Sequence, residues 1–124
     1  MAQLTKNFHL DEFQSKDGAE MPAQVVLNIQ KLANQLQILR EHLNRPIRIT
    51  SGYRSPAHNK AVGGAKNSQH TLGKAADIQV KGMEPQEVYD AIENVIHCGD
   101  MLQGGLGLYK GWVHYDIRKT KARW

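Results

Sequence analysis

The sequence predicts an α+β fold in which helices pack against a small antiparallel sheet. Three observations predict it. An apolar stripe at helical spacing occupies the early chain, short β-branched or alternating segments gather mostly later, and strands and helices do not alternate steadily. A doubly wound sheet needs that alternation. The chain has 124 residues, near the commonest domain size of about 100–150 residues, so residues 1–124 are expected to form one domain with its own core.

Each element has a local reason. Leu10 to Gln14 predicts a short helical turn capped from Asn7 or Thr5, with Phe8 and Phe13 as apolar plugs. Pro22 stands where proline favours a helix start. From there Val25, Ile29, Leu32, Leu36, Leu39 and Leu43 recur at alternating steps of four and three, one stripe ending near Asn44 before Pro46. Ile47-Arg48-Ile49-Thr50 alternates apolar and polar and is β-branched, so it predicts a strand. Ser51 to Pro56 breaks that pattern; a short helix from Pro56 to about Val62 then ends at Gly63-Gly64. Ala75 to Val80 predicts a second strand, and Pro85 opens a helix with Val88, Ile92, Val95 and Ile96 on one side. Gly104–Tyr109 and Trp112–Arg118 predict two strands joined by a tight Lys110-Gly111 turn.

Composition excludes several classes. Sixteen Lys and Arg against 12 Asp and Glu give 16 − 12 = +4, a mild charge compatible with an anionic polymer. The cations are scattered except at Arg118, Lys119, Lys121 and Arg123, a cluster that reads as a solvated terminus. No nucleic-acid partner is therefore expected. No apolar run approaches the roughly 20 residues of a membrane span. Met1 to Leu10 is polar and lacks an apolar secretory core. No secretory signal is therefore expected. The single cysteine, Cys98, excludes a disulfide framework and a cysteine zinc finger, and reads as a small buried hydrophobe. Any metal site must use histidines and carboxylates.

Among six histidines, two stand out. His70 lies in the polar loop Asn67-Ser68-Gln69-His70, and His114 sits mid-strand between Val113 and Tyr115. Asp77 lies between Ala76 and Ile78, where an unpartnered carboxylate is costly to bury. Two imidazoles and a carboxylate match the three-ligand set of catalytic zinc, with a fourth place for water, whose pKa such a zinc lowers to about 7. Spacing alone favours plainer roles: a turn-capping His70, Asp77 paired with a surface lysine, and a satisfied strand histidine at 114.

The wording around these residues adds a resemblance. Ser68-x-His70-x-x-Gly73-x-Ala75-x-Asp77, preceded by Ser51-Gly52-Tyr53-Arg54-Ser55 and followed by Val113-His114-Tyr115-Asp116-Ile117-Arg118, resembles the zinc D-alanyl-D-alanine carboxypeptidases. That family also holds vancomycin-resistance D,D-dipeptidases and phage L-alanyl-D-glutamate endopeptidases, and hedgehog signalling domains are similar to it in fold and zinc site. The opening Asn7-Phe8-x-Leu10-x-Glu12-Phe13 is similar to its short phage and prophage members, so the likeness runs from about Asn7 to Arg118.

The resemblance implies zinc held by His70, Asp77 and His114, and an Arg54 that reads an anionic substrate group such as a peptide carboxylate. A planar guanidinium suits that task; the alternative for Arg54 is a loop salt bridge. Ser68 offers its hydroxyl to substrate or to the loop backbone, and Gly73 allows the turn between ligands. Relatives carry an acidic residue or histidine two or three places before the last ligand as general base; here Trp112 and Gly111 stand there. Asp116 shares the strand face of His114, about 6.5–7 Å away. It is weighed as a base, as an orienting carboxylate for a ligand imidazole, or as a partner of Arg118 or Arg54. The expected function is a monomeric, endolysin-like zinc metallopeptidase, a D,D-carboxypeptidase or an endopeptidase, that cuts the peptidoglycan stem peptide and is cytoplasmic until released, or phage-associated. The alternative is a non-catalytic, zinc-stabilised module that binds cell wall or protein.

Overall fold

The computed structural model describes residues 2–124. A 3-10 turn at Leu10–Phe13 opens the chain, and Phe8 and Phe13 plug the core beneath it with ring centroids 6.2 Å apart. The residue preceding the turn is His9, whose N–H donates to Glu12 at 2.7 Å. Asn7 and Thr5 do not cap it, because both bind Gln37 of the following helix. That helix, α1 (Ala23–Leu43), buries the predicted stripe from Val25 to Leu39. It ends at Asn44, whose φ of 50° is left-handed and whose N–H reaches the Arg40 carbonyl at 2.9 Å.

Strand β1 (Ile47–Ser51) leads to helix α2 (Pro56–Ala61), which the Ser55 hydroxyl caps. Strand β2 (Ala75–Val80) and helix α3 (Pro85–His97) follow, then β3 (Gly105–Leu108), β4 (Val113–Asp116) and β5 (Ala122–Arg123). The sheet order is β1-β2-β4-β3-β5. All pairings are antiparallel except that of β5, which runs parallel to β3 and makes the sheet mixed. The Lys110-Gly111 turn closes as predicted, with the Tyr109 N–H on the Trp112 carbonyl at 3.1 Å.

Strand alternation divides the sheet into two faces. Ile47, Ala76, Ile78, Val80, Leu106, Val113 and Tyr115 join α1 and α3 in the apolar core. The intervening positions, including Asp77, Gly105, Gly107, His114 and Asp116, face the other way. In register, Asp77 opposes His114, which opposes Gly107 on its other side, and Gly105 opposes Asp116.

Two further expectations are corrected. The tail is solvated only in part: Lys119 and Lys121 are exposed, but β5 pairs with β3, Arg118 binds Asp116, and Arg123 donates to Glu93 at 2.9 Å and to the Gly104 carbonyl at 2.7 Å. Cys98 is exposed, because it stands at the end of α3, past Val95, the helix's last buried residue.

Candidate metal centre

Register and one turn bring the candidate ligands together. Asp77 and His114 lie directly opposite each other on neighbouring antiparallel strands, a placement that puts Cβ atoms about 4.5–5.5 Å apart. His70 arrives from the 3-10 turn Gln69–Leu72 just before β2. The Ser68 hydroxyl starts that turn by accepting the His70 N–H at 3.1 Å. Gly73 ends it with a φ of 74°, and a Cβ there would lie 2.8 Å from Val25 of α1. Conformation and space thus both require glycine. One nitrogen from each imidazole and one Asp77 oxygen all lie within 4.8 Å of one another, and all three residues are buried.

The donor set fits a divalent cation. His70 Nε2 and His114 Nδ1 face Asp77 Oδ1 at 3.3 and 3.2 Å. The far nitrogen of each ring meets an acceptor: His70 Nδ1 the Gly52 carbonyl at 2.7 Å, and His114 Nε2 the Asp116 carboxylate at 2.6 Å. A ring that donates its far N–H turns a lone pair inward, as metal-ligating histidines do. Two lone pairs and a carboxylate then converge on one point, an arrangement that only a proton or a metal ion can reconcile.

Electrostatics agree. Burial pushes Asp77 up, but hydrogen bonds and charge from His114 and His70 outweigh it and bring the pKa down to about 2. Burial pushes His114 down, and Asp116 and Asp77 outweigh it, so its pKa is raised. Asp116 is held well below the usual carboxylate range, because His114 and Arg118 overcome its burial.

Asp116, weighed above as a base, is fully buried and does not line the cleft. One oxygen accepts from the Gly105 N–H and from the Arg118 N–H and Nε; the other accepts from His114 and Arg118 Nη2. Its contacts are those of an orienting carboxylate tied to Arg118. Arg54 does line the cleft, with long contacts to Asp77 (3.5 Å), Ser51 (3.3 Å) and Asn59 (3.4 Å). The cleft, about 420 Å³, runs past the three candidate ligands between the Gly63–Gln69 loop and an aromatic side of Tyr109, Trp112 and Trp124.

The sequence pattern of the peptidase M15 family matches residues 3–116. The chain belongs to the peptidase M15 family. The fold agrees: the crystal structure of the L-Ala D-Glu endopeptidase ChiX from Serratia marcescens superposes with a TM-score of 0.50 at 18% identity, covering 79% of this chain and 89% of that one. No curated protein sequence matches the chain.

Two features of this candidate site escaped the sequence reading. Strand β3 carries glycines at 105 and 107 because the site face is already full. A Cβ at 105 would strike the Asp116 carboxylate, and one at 107 would meet the Trp124 indole at 2.5 Å. The second feature is Trp124 itself, whose ring lies 4.9 Å from that of His114, with the Arg118 guanidinium 5.2 Å from the indole centroid. Alternate glycines in a predicted strand signal such close approach. For Trp124 no local signal exists, since two-residue β5 is too short for periodicity.

Proposed function

We propose that this chain is a zinc-dependent metallopeptidase that hydrolyses a peptide bond in the bacterial peptidoglycan stem peptide, an endolysin-like wall hydrolase whose residues 1–124 act as one peptidase domain. The observation that carries the reading is the convergence of His70 Nε2, Asp77 Oδ1 and His114 Nδ1, each imidazole held at its far nitrogen by an acceptor. Membership of a peptidase family supports hydrolysis. The activity named for the ChiX structure supports the stem peptide as substrate class.

His70, Asp77 and His114 would hold the ion. Zinc in such a set supplies Lewis acidity toward a carbonyl oxygen and lowers the pKa of water. The protein supplies the rest. Asp116 and the Gly52 carbonyl fix which nitrogen of each ring carries the proton. Arg118 holds Asp116 in place through two guanidinium nitrogens. Arg54, whose own contacts are all 3.3 Å or longer, keeps a planar fork available for a substrate carboxylate. Ser68 serves the loop, since its hydroxyl is engaged with the His70 backbone.

Purified protein given one equivalent of zinc is expected to release peptide fragments from cell walls. Chelation and His70→Ala should each abolish the release. Activity that survives full metal removal refutes the zinc reading. Zinc uptake that raises stability without any peptide release supports a binding module instead.

A further inference from the structure

The cleft holds no carboxylate besides Asp77 and no imidazole besides His70 and His114 among the described residues. Peptide hydrolysis nevertheless places negative charge on the carbonyl oxygen, and a preset donor aimed at that charge lowers the barrier. Arg118 is engaged with Asp116 and Ser68 with the His70 backbone, and Arg54 is the fork assigned above to a substrate carboxylate. Asn67, Gln69 and the Trp112 indole have no partner among the described residues that fixes their donors.

Tyr109 differs. Its hydroxyl oxygen accepts the Trp124 indole N–H at 2.8 Å, while its own hydrogen finds no acceptor among the described residues. Its ring is held in place, stacked on Trp112 at 4.9 Å and 9°. The indole that aims it is fixed as well, by the niche over Gly107, by Arg118, and by backbone bonds that run from Trp124 to Leu106 and from Leu108 to Trp124. That same indole lies 4.9 Å from the His114 ring, so the Tyr109 hydroxyl stands one indole away from a candidate ligand, on the open cleft.

The geometry points to Tyr109 as a catalytic residue of the proposed peptidase, its hydroxyl donating a hydrogen bond to the scissile carbonyl oxygen, with Trp124 as the positioning residue that aims it. The assignment rests on the peptidase reading above. As water oxygen bonds to the carbonyl carbon, the π pair moves onto the carbonyl oxygen and the Tyr109 hydrogen bond strengthens. When the pair returns, the C–N bond breaks and the amine nitrogen takes up the proton lost by the water. The Tyr109 O–H bond stays intact throughout, so no proton leaves the phenol.

Tyr109→Phe removes only the hydroxyl. With zinc content matched to the parent protein, it should lower kcat on a stem-peptide substrate about 100-fold and leave KM within about twofold, as expected for a donor felt in the transition state. A phosphinate analogue of the scissile peptide should bind the variant about tenfold more weakly, and the cleaved product should bind both proteins alike. Trp124→Phe should lower kcat in part, and the double variant should be no slower than Tyr109→Phe alone, because both changes act through one hydroxyl. Unchanged kcat and phosphinate affinity in Tyr109→Phe overturn the assignment and leave the peptidase reading standing. Additive losses in the double variant overturn the role given to Trp124. A parent protein that loads zinc yet cleaves no stem peptide overturns the peptidase reading and this assignment with it.

Discussion

Replacing Asp116 with asparagine tests whether this buried carboxylate sets the metal site through a single proton. Asp116 accepts five hydrogen bonds. Its Oδ1 accepts three of them, from the Gly105 N–H and from the Arg118 N–H and Nε, and an asparagine oxygen can keep those. The new amide N–H₂ then replaces Oδ2, which faces His114 Nε2 at 2.6 Å and Arg118 Nη2 at 2.7 Å. A donor now meets a donor. His114 escapes the clash by moving its proton to Nδ1, the nitrogen that faces Asp77, and a protonated nitrogen cannot ligate. Loss of such an outer carboxylate weakens metal binding about 10–100-fold, or about 1.4–2.7 kcal/mol. Asp116→Ala is a poorer probe. It strips all five bonds and leaves Arg118 without its buried counter-charge, at a cost of about 3–5 kcal/mol that would confuse metal loss with unfolding. Zinc affinity is measured by competition with a chromophoric chelator at neutral pH, and folding is followed by circular dichroism. A folded Asp116→Asn protein that binds zinc within about twofold of the parent refutes the reasoning.

Other predictions concern pH, the fit of Trp124, and substrate. In chelated protein, the raised pKa of His114 gives stability that is fully present below its unfolded value of 6.5 and is lost as pH rises through the folded value. Asp77 acts in the opposite sense: its stabilisation is present above 3.8 and is lost as pH falls toward about 2. Melting temperature without metal should therefore peak in mildly acidic solution, whereas the increment that zinc adds should grow with pH as the proton leaves His114; a zinc increment independent of pH contradicts this. Gly107→Ala places a methyl group 2.5 Å from the Trp124 indole. It should displace the tail at about 1–3 kcal/mol, visible as faster proteolysis at the C-terminus, and an unchanged cleavage pattern argues against the fit. Arg54→Lys keeps the charge but loses the fork, and should raise KM for a carboxylate-bearing substrate about tenfold with kcat little changed; an unaltered KM removes Arg54 from substrate recognition.

Much of this architecture was legible because local rules and tertiary needs coincide there. The α1 stripe, the alternation in β1 and the Lys110-Gly111 turn each carry their own period or turn chemistry, and the fold keeps them. The convergence of His70, Asp77 and His114 was not legible from spacing, because it depends on the β2–β4 register; the motif wording supplied it. Two of the failures, the caps and the tail arginine, share a cause. Asn7 and Thr5 look like caps, yet Gln37, some 30 residues away in sequence, claims both. Arg123 looks like a solvated tail charge, yet its partner Glu93 lies on α3, 30 residues back. Such long-range competition leaves no trace in a local window.

The two-faced sheet separates chemistry from cohesion by parity. On β2 and β3 the odd positions face the candidate ligands and the even ones the oily interior, while on β4 the assignment is reversed. A lineage could therefore exchange a ligand, a supporting carboxylate or an aromatic neighbour without repacking the interior. The same frame could hold an active hydrolase or a silent binder, and melting behaviour alone would not tell them apart.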